Sequence, residues 1–307
     1  MLPERRPATV PSGRLDVAGI LLIASGLSLV LIGFSLKGNT AGGHAPAWAD
    51  PGVAGCLIGG LVLLALLVPV ERRATIPVLP IALFGNRTYS ALLVAGFFFQ
   101  AAAMPVGVLL PLYFQYVRDY SATVSGLLLL PLMIGMAVSN HLTAAIILRS
   151  RRAKPVLLVG AGLLTVGAAA FFIQDTETPM ALIVLWLLIA GLGSGPPMGG
   201  ITIATQNAVQ LADMGTATAG STLTKQLGGA FGLACAQSLL SLYGTGGPTA
   251  QAIGSSVAWG GAIGGALALA GLLLMRNIAI SAPGGRVPAP TPRDGEQTTQ
   301  APDRASA

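Results

Sequence analysis

Eight apolar runs recur along this chain, at approximately 16–36, 53–70, 89–114, 123–147, 155–173, 179–203, 217–242 and 257–275. Each is close to, or longer than, the roughly 20 residues a helix needs to cross the hydrocarbon core of a bilayer. Inside lipid every backbone N–H and C=O must find its partner within the segment, so runs of this kind can only be helices. Composition fits the same reading. Hydrophobic residues make up 53% of the 307 and charged residues 9%, with a mean hydropathy of +0.74. A soluble domain carries about 25% charged residues, so this chain cannot clothe a water-facing surface. The 41 glycines and 21 prolines would break soluble helices, but membrane helices tolerate both. The expected fold is an all-α integral membrane protein with eight transmembrane helices.

Charge then orients the chain. Arg5, Arg6 and Arg14 precede the first run, and Arg72, Arg73 and Arg87 separate the second from the third. Arg149, Arg151, Arg152 and Lys154 separate the fourth from the fifth, and Arg276, Arg286, Arg293 and Arg304 follow the eighth. Fourteen of the 17 basic residues thus share one face; only Lys37 and Arg118 fall on the other. The positive-inside rule makes the crowded face cytoplasmic, with both termini inside. The net charge of +6 does not point to nucleic acid, because the basic residues sit in short clusters between apolar runs and form no continuous face.

The seventeenth basic residue, Lys225, stands within the seventh run, in STLTKQLGGAFGLACAQSLL. The run boundaries place it about two turns from the inner end. Two readings are open: a snorkelling anchor, or a group lining a water-filled cavity. Lys225, Gly228, Gly229 and Gly232 share one helix face, which favours an inward lysine.

Cys56 and Cys235 both lie inside apolar runs and suggest no disulfide framework. Zinc spacings, a GxGxxG fingerprint and a P-loop are absent from the sequence, and no nucleophile–base or metal constellation argues for a membrane enzyme. MLPERRPATVPSGRLD does not read as a signal peptide. ATIPVLPIALFGNRT (74–88) reads as a surface connector, and the Pro-, Gly- and Thr-rich stretch 277–307 as a disordered tail.

The order of features resembles the fourteen-helix drug:proton antiporters, the EmrB/QacA-like branch of the major facilitator superfamily. RLDVAGILLIASGLSLVLIGFS looks like the helix that follows their first bundle. PVLPIALFGNRTYSALLVAGFFFQAAAMPVGVLLPLYFQYVRDYSATVSGLLLLP looks like their connector, ninth helix, outer loop and tenth helix. GTATAGSTLTKQLGGAFGLA resembles their thirteenth helix. The resemblance implies a cytoplasmic linker-like segment at 1–15, a central two-helix pair at 16–73, a connector at 74–88, a six-helix half-bundle at 89–276 and a cytoplasmic tail at 277–307. It also implies that the first six-helix half is absent, as in a truncated reading frame, a split gene product or a relic.

Candidate site residues are the polar groups within or beside the runs: Gln100, Asn140, His141, Gln206, Asn207, Lys225 and Gln226. Polar groups in lipid need partners, so these should face the bundle interior. His141 is the one imidazole among them, the side-chain type suited to proton relay, and reads either as a proton relay or as a hydrogen-bonded structural histidine. Tyr113, Tyr116 and Trp186 read as belt or packing residues. None of the eleven carboxylates falls at mid-membrane. GLGSGPPMGG (191–200) fits the antiporter pattern G-x-x-x-G-P-x-x-G-G, in a different helix from the family's. A bend at Gly195–Pro196 and close packing are expected there, and close packing again at Gly228–Gly229. AAIILRSRRAKP (144–155) lies where the family carries a basic gating motif, but its Asp and glycines are missing.

Together these features imply the C-terminal part of a proton-coupled multidrug efflux transporter in a bacterial cytoplasmic membrane. Its partners would be the bilayer, a small apolar or cationic drug-like substrate, protons and the missing half, with no cofactor and no metal. The alternative is a non-transporting membrane protein, either a relic or a partner subunit.

Overall fold

The computed structural model describes residues 17–38, 46–71, 81–243 and 249–274. These residues form nine α-helices: α1 Val17–Gly38, α2 Pro51–Glu71, α3 Arg87–Tyr116, α4 Ala122–Leu127, α5 Leu130–Ser150, α6 Lys154–Ala169, α7 Met180–Ala208, α8 Met214–Tyr243 and α9 Ala250–Leu274. No strand occurs among the described residues. The segment 1–15, most of the connector and the tail 277–307 lie outside them. The connector's end is a 3-10 turn, Ile81–Gly85.

All eight expected runs coincide with helices. The fourth is divided: α4 and α5 meet at a two-residue turn just before Pro131, whose missing N–H and ring prevent an unbroken helical ladder. Seven crossings, with α4 and α5 counted as one, are long and apolar enough to span a membrane. The eighth, α8, is long enough at 30 residues but less apolar, because Thr216, Thr218, Ser221, Thr222, Thr224, Lys225 and Gln226 crowd its first half. Much of that polarity is hidden within the helix. Thr218, Thr222 and Thr224 donate to the carbonyls of Met214, Thr218 and Gly220 at 2.8, 3.0 and 2.8 Å.

The helices differ in how they pack. α1 and α2 pack on each other, and α1 alone carries the pair's main contact to the rest, along α8. α3 packs on α8 and α9, α6 on α7 and α9, and α5 almost entirely on α7. Lipid tails are as apolar as leucine, so helices here associate through close backbone approach, which needs small residues. α7 illustrates this. Gly191 faces the carbonyl of Leu132 and Gly195 faces Ser139 and the carbonyl of Met136, both on α5. Gly193 faces the backbone of Leu164 on α6, where a Cβ added to Gly160 would lie 2.7 Å from the Pro196 ring. GLGSGPPMGG is therefore the seam that holds α5 and α6 to α7, and α7 runs unbroken through Pro196 and Pro197.

Both ends of the bundle are tied by side chains. At the end bearing Arg87 and the 149–154 turn, here the basic end, Asn86 caps α3 by accepting from the amides of Thr88 and Tyr89. Its Nδ2 donates to the carbonyl of Ala208 at 2.7 Å, fixing the start of α3 to the end of α7. Arg151 closes α5 in the left-handed region (φ 56°), and Lys154 donates to the carbonyl of Leu273 in the last turn of α9. At the far end Arg118 donates to the Tyr113 hydroxyl at 2.8 Å and to the carbonyl of Thr178. The Tyr113 hydroxyl in turn donates to the carbonyl of Asp175. Tyr113 and Trp186 are buried packing residues, the latter edge-on to Phe171 at 5.5 Å.

Candidate functional site

One side of the six-helix bundle is concave. α3, α5 and α7 enclose a cleft of about 190 Å³ whose walls include Gln100, Met104, Met133, Met136, Ser194 and Met198. Four of the chain's eight methionines thus converge from three helices. Unbranched, polarizable thioethers adapt to ligands of varied shape, a property of binding surfaces that accept many partners. The half-buried carboxamide of Gln100 is the cleft's main polar group, and no charged residue lines it among the described residues.

Met104 sits on a divide. On its other side lies a groove of about 510 Å³ between α1 and α8, which contains Gln226 and Gln237. Gly229 joins the two concavities, since a Cβ there would lie 3.1 Å from Gln100 Cγ. The close α3–α8 contact is made by its neighbours: Gly228 meets the carbonyl of Phe97, and Gly232 that of Ala101.

The candidate residues fall into different surroundings. Gln100 and Gln226 stand on the concave side. Asn140 faces α7, where a Cβ on Gly199 would lie 2.6 Å from its Oδ1, and that buried oxygen has no hydrogen-bond partner among the described residues. His141 is exposed on the opposite side of α5, away from the Gly135–Ser139–Thr143–Ile147 stripe that packs on α7. The expectation that it faces the interior does not hold within this chain. Gln206 and Asn207 are half-buried at the basic end of α7, away from both concavities. Asn207 Nδ2 is spent on the carbonyl of Ile203 at 2.8 Å.

Lys225 lies well inside its helix. α8 begins at Met214, so Lys225 is three turns in, about 16 Å along the axis. Its stem lies over α3, with Cγ 3.2 Å from where a Cβ on Gly96 would stand, and Ile201 of α7 meets the same spot. The lysine is half-buried where α3, α7 and α8 converge, on the packed face of α8.

Sequence reasoning missed the methionines. Met133 and Met136 at i, i+3 spacing in one apolar run were the available signal; that Met104 and Met198 join them depends on which helices meet.

The sequence profile of the Major Facilitator Superfamily matches residues 11–233. An uncharacterized MFS-type transporter of Mycobacterium tuberculosis is 33% identical over 227 residues, covering 74% of this chain and 32% of its own length. The multidrug transporter protein MdtP of Bacillus subtilis is 28% identical over 218 residues (71% of this chain, 39% of its own length). A tetracycline resistance determinant of Streptomyces rimosus is 31% identical over 224 residues (72% and 62%). The chain spans less than two thirds of the length of each of these relatives. The profile match takes in α1 to α7 and most of α8, the helices that build both concavities: the chain belongs to the Major Facilitator Superfamily.

Proposed function

We propose that this chain forms one wall of a proton-coupled multidrug efflux transporter of the fourteen-helix branch, in a bacterial cytoplasmic membrane, with both termini cytoplasmic. The observation that carries the reading is the methionine- and glutamine-lined concavity across α3, α5 and α7, open on one side. Transporters of this architecture hold substrate near the midplane between two bundles, so an open wall calls for a complementary six-helix half. The exposed His141, amid Val138, Leu142 and Ala145, fits the same demand. An imidazole facing hydrocarbon is costly, and a protein neighbour would relieve it. The relatives named for multidrug transport and tetracycline resistance support an apolar or cationic drug-like substrate. The basic-end clustering of Arg and Lys supports the orientation.

The wall carries no carboxylate among the described residues, so the proton-carrying acid belongs to the complementary half. Exchange would follow from rocking of the two halves about the site, without covalent chemistry. The test is proton-driven drug uptake into inverted vesicles. Vesicles with this chain alone should match empty ones, and vesicles with the chain plus a complementary half should exceed both. Uptake by the chain alone would refute the incomplete-wall reading. No uptake in any pairing would favour a non-transporting membrane protein.

A further inference from the structure

We infer that the groove between α1 and α8 is a binding site for an uncharged, elongated amphiphile with a hydrogen-bonding group at each end. The groove holds about 510 Å³, within the range of small-molecule sites. α1 and α8 run side by side and in the same direction: Ile23 and Gly220 line one shared cavity, and Phe34 meets Phe231 edge-on at 5.5 Å further along. Leu31, Phe34, Met104 and Leu233 make the walls apolar.

Two carboxamides break that apolarity, and their spacing defines the ligand. Gln226 and Gln237 are eleven residues apart on α8, just over three whole turns, so both point to the same side. Their attachment points lie about 16 Å apart along the axis. Ser35 of α1 joins Gln237 at the far end. Neither glutamine side chain has a hydrogen-bond partner among the described residues. Each can donate and accept, so each suits an amide or hydroxyl rather than an ion. Between them lie Gly229, Ala230 and Leu233, which leave room for an apolar body and offer it no polar contact.

Charge argues against a cation here. Among the described residues no carboxylate lines the groove. The ionic residues nearest in the chain are both lysines: Lys225 beside Gln226, and Lys37 two residues past Ser35, its Nζ 5.1 Å from the Trp48 ring centroid. An acyl chain alone would leave the half-buried Gln237 carboxamide unpaired, an unfavourable outcome for the complex, and would give the exposed Gln226 no partner.

Every residue that lines the groove belongs to this chain, so binding is measured without a complementary half, and a failed uptake experiment would leave the inference standing. The test is equilibrium dialysis of tritiated dodecanediamide, a twelve-carbon chain with an amide at each end, against nanodiscs carrying the full chain, with empty nanodiscs subtracted. The expected result is saturable binding of one molecule per chain. Gln226→Leu combined with Gln237→Leu should weaken it about tenfold, the loss that two hydrogen bonds predict. Dodecyltrimethylammonium should fail to displace the diamide from the parent chain but should bind once Gln237→Glu supplies a countercharge. If the double variant does not fold, the Gln237→Glu arm decides. Three results would overturn the inference: uptake no greater than that of empty nanodiscs, a folded double variant that binds like the parent, or displacement from the parent chain by the ammonium as readily as by unlabelled diamide.

Discussion

At the scale of residues, Lys225 is the most demanding group in the chain. A lysine near the end of a membrane helix extends its stem to the headgroups at little cost. Lys225 is three turns into α8, and its stem lies across Gly96 on the packed side of the helix. That geometry leaves a narrow bed, shaped by a glycine below and Ile201 beside it. A guanidinium is planar and broader than an ammonium, so the two are not interchangeable in such a place. With a complementary half that confers drug resistance, Lys225→Arg and Lys225→Gln should each express normally and each lose most of the resistance. Full resistance for both would reduce Lys225 to an anchor. The identity and interior position of this lysine were legible in the sequence. The start of its helix was not, because α8 begins at Met214, among threonines whose hydroxyls are absorbed by the helix's own carbonyls.

At the scale of elements, glycines decide which helices touch. On α8 two adjacent glycines have opposite tolerance. Gly228 meets the carbonyl of Phe97, a backbone atom that cannot yield, whereas Gly229 meets the flexible side chain of Gln100. Gly228→Leu should force α3 and α8 apart and destabilise the bundle by about 1–3 kcal/mol or more, as overpacking does. Gly229→Ala should stay within about 0.5 kcal/mol of the parent. Thermal unfolding in detergent separates the two, and equal losses would contradict the α3–α8 seam. The sequence marked both glycines as packing residues, but their difference follows from one residue of helix rotation, about 100°, which sets what each faces. GLGSGPPMGG was legible as a close-packing segment in the same limited sense. That its glycines divide between α5 and α6 could not be read without knowing that α7 runs between them.

At the scale of the whole molecule, the bilayer made the architecture readable. A segment of about 20 apolar residues has few alternatives to a crossing helix, so the all-helical class emerged from the sequence, with seven of the eight expected spans long and apolar enough to cross among the described residues. The concave wall did not. Its methionines come from positions 104, 133, 136 and 198, which only tertiary packing brings together, and the cleft has no motif of its own. His141 shows the converse: a residue singled out by chemistry stands on a face that none of the described helices covers.

The proposed transport role requires that the concave face be a water-filled, substrate-facing wall and not a lipid-facing one. The direct measurement is thiol accessibility, in a background without Cys56 and Cys235, in membranes where the chain is paired with a complementary half that restores resistance. Gln100→Cys and Met198→Cys should react with a membrane-impermeant thiol reagent and be protected by the transported drug, while Leu61→Cys, on the exposed face of α2, should react with neither property. If Gln100→Cys and Met198→Cys proved as inert as Leu61→Cys, the wall would face lipid and the proposed transport role would be contradicted.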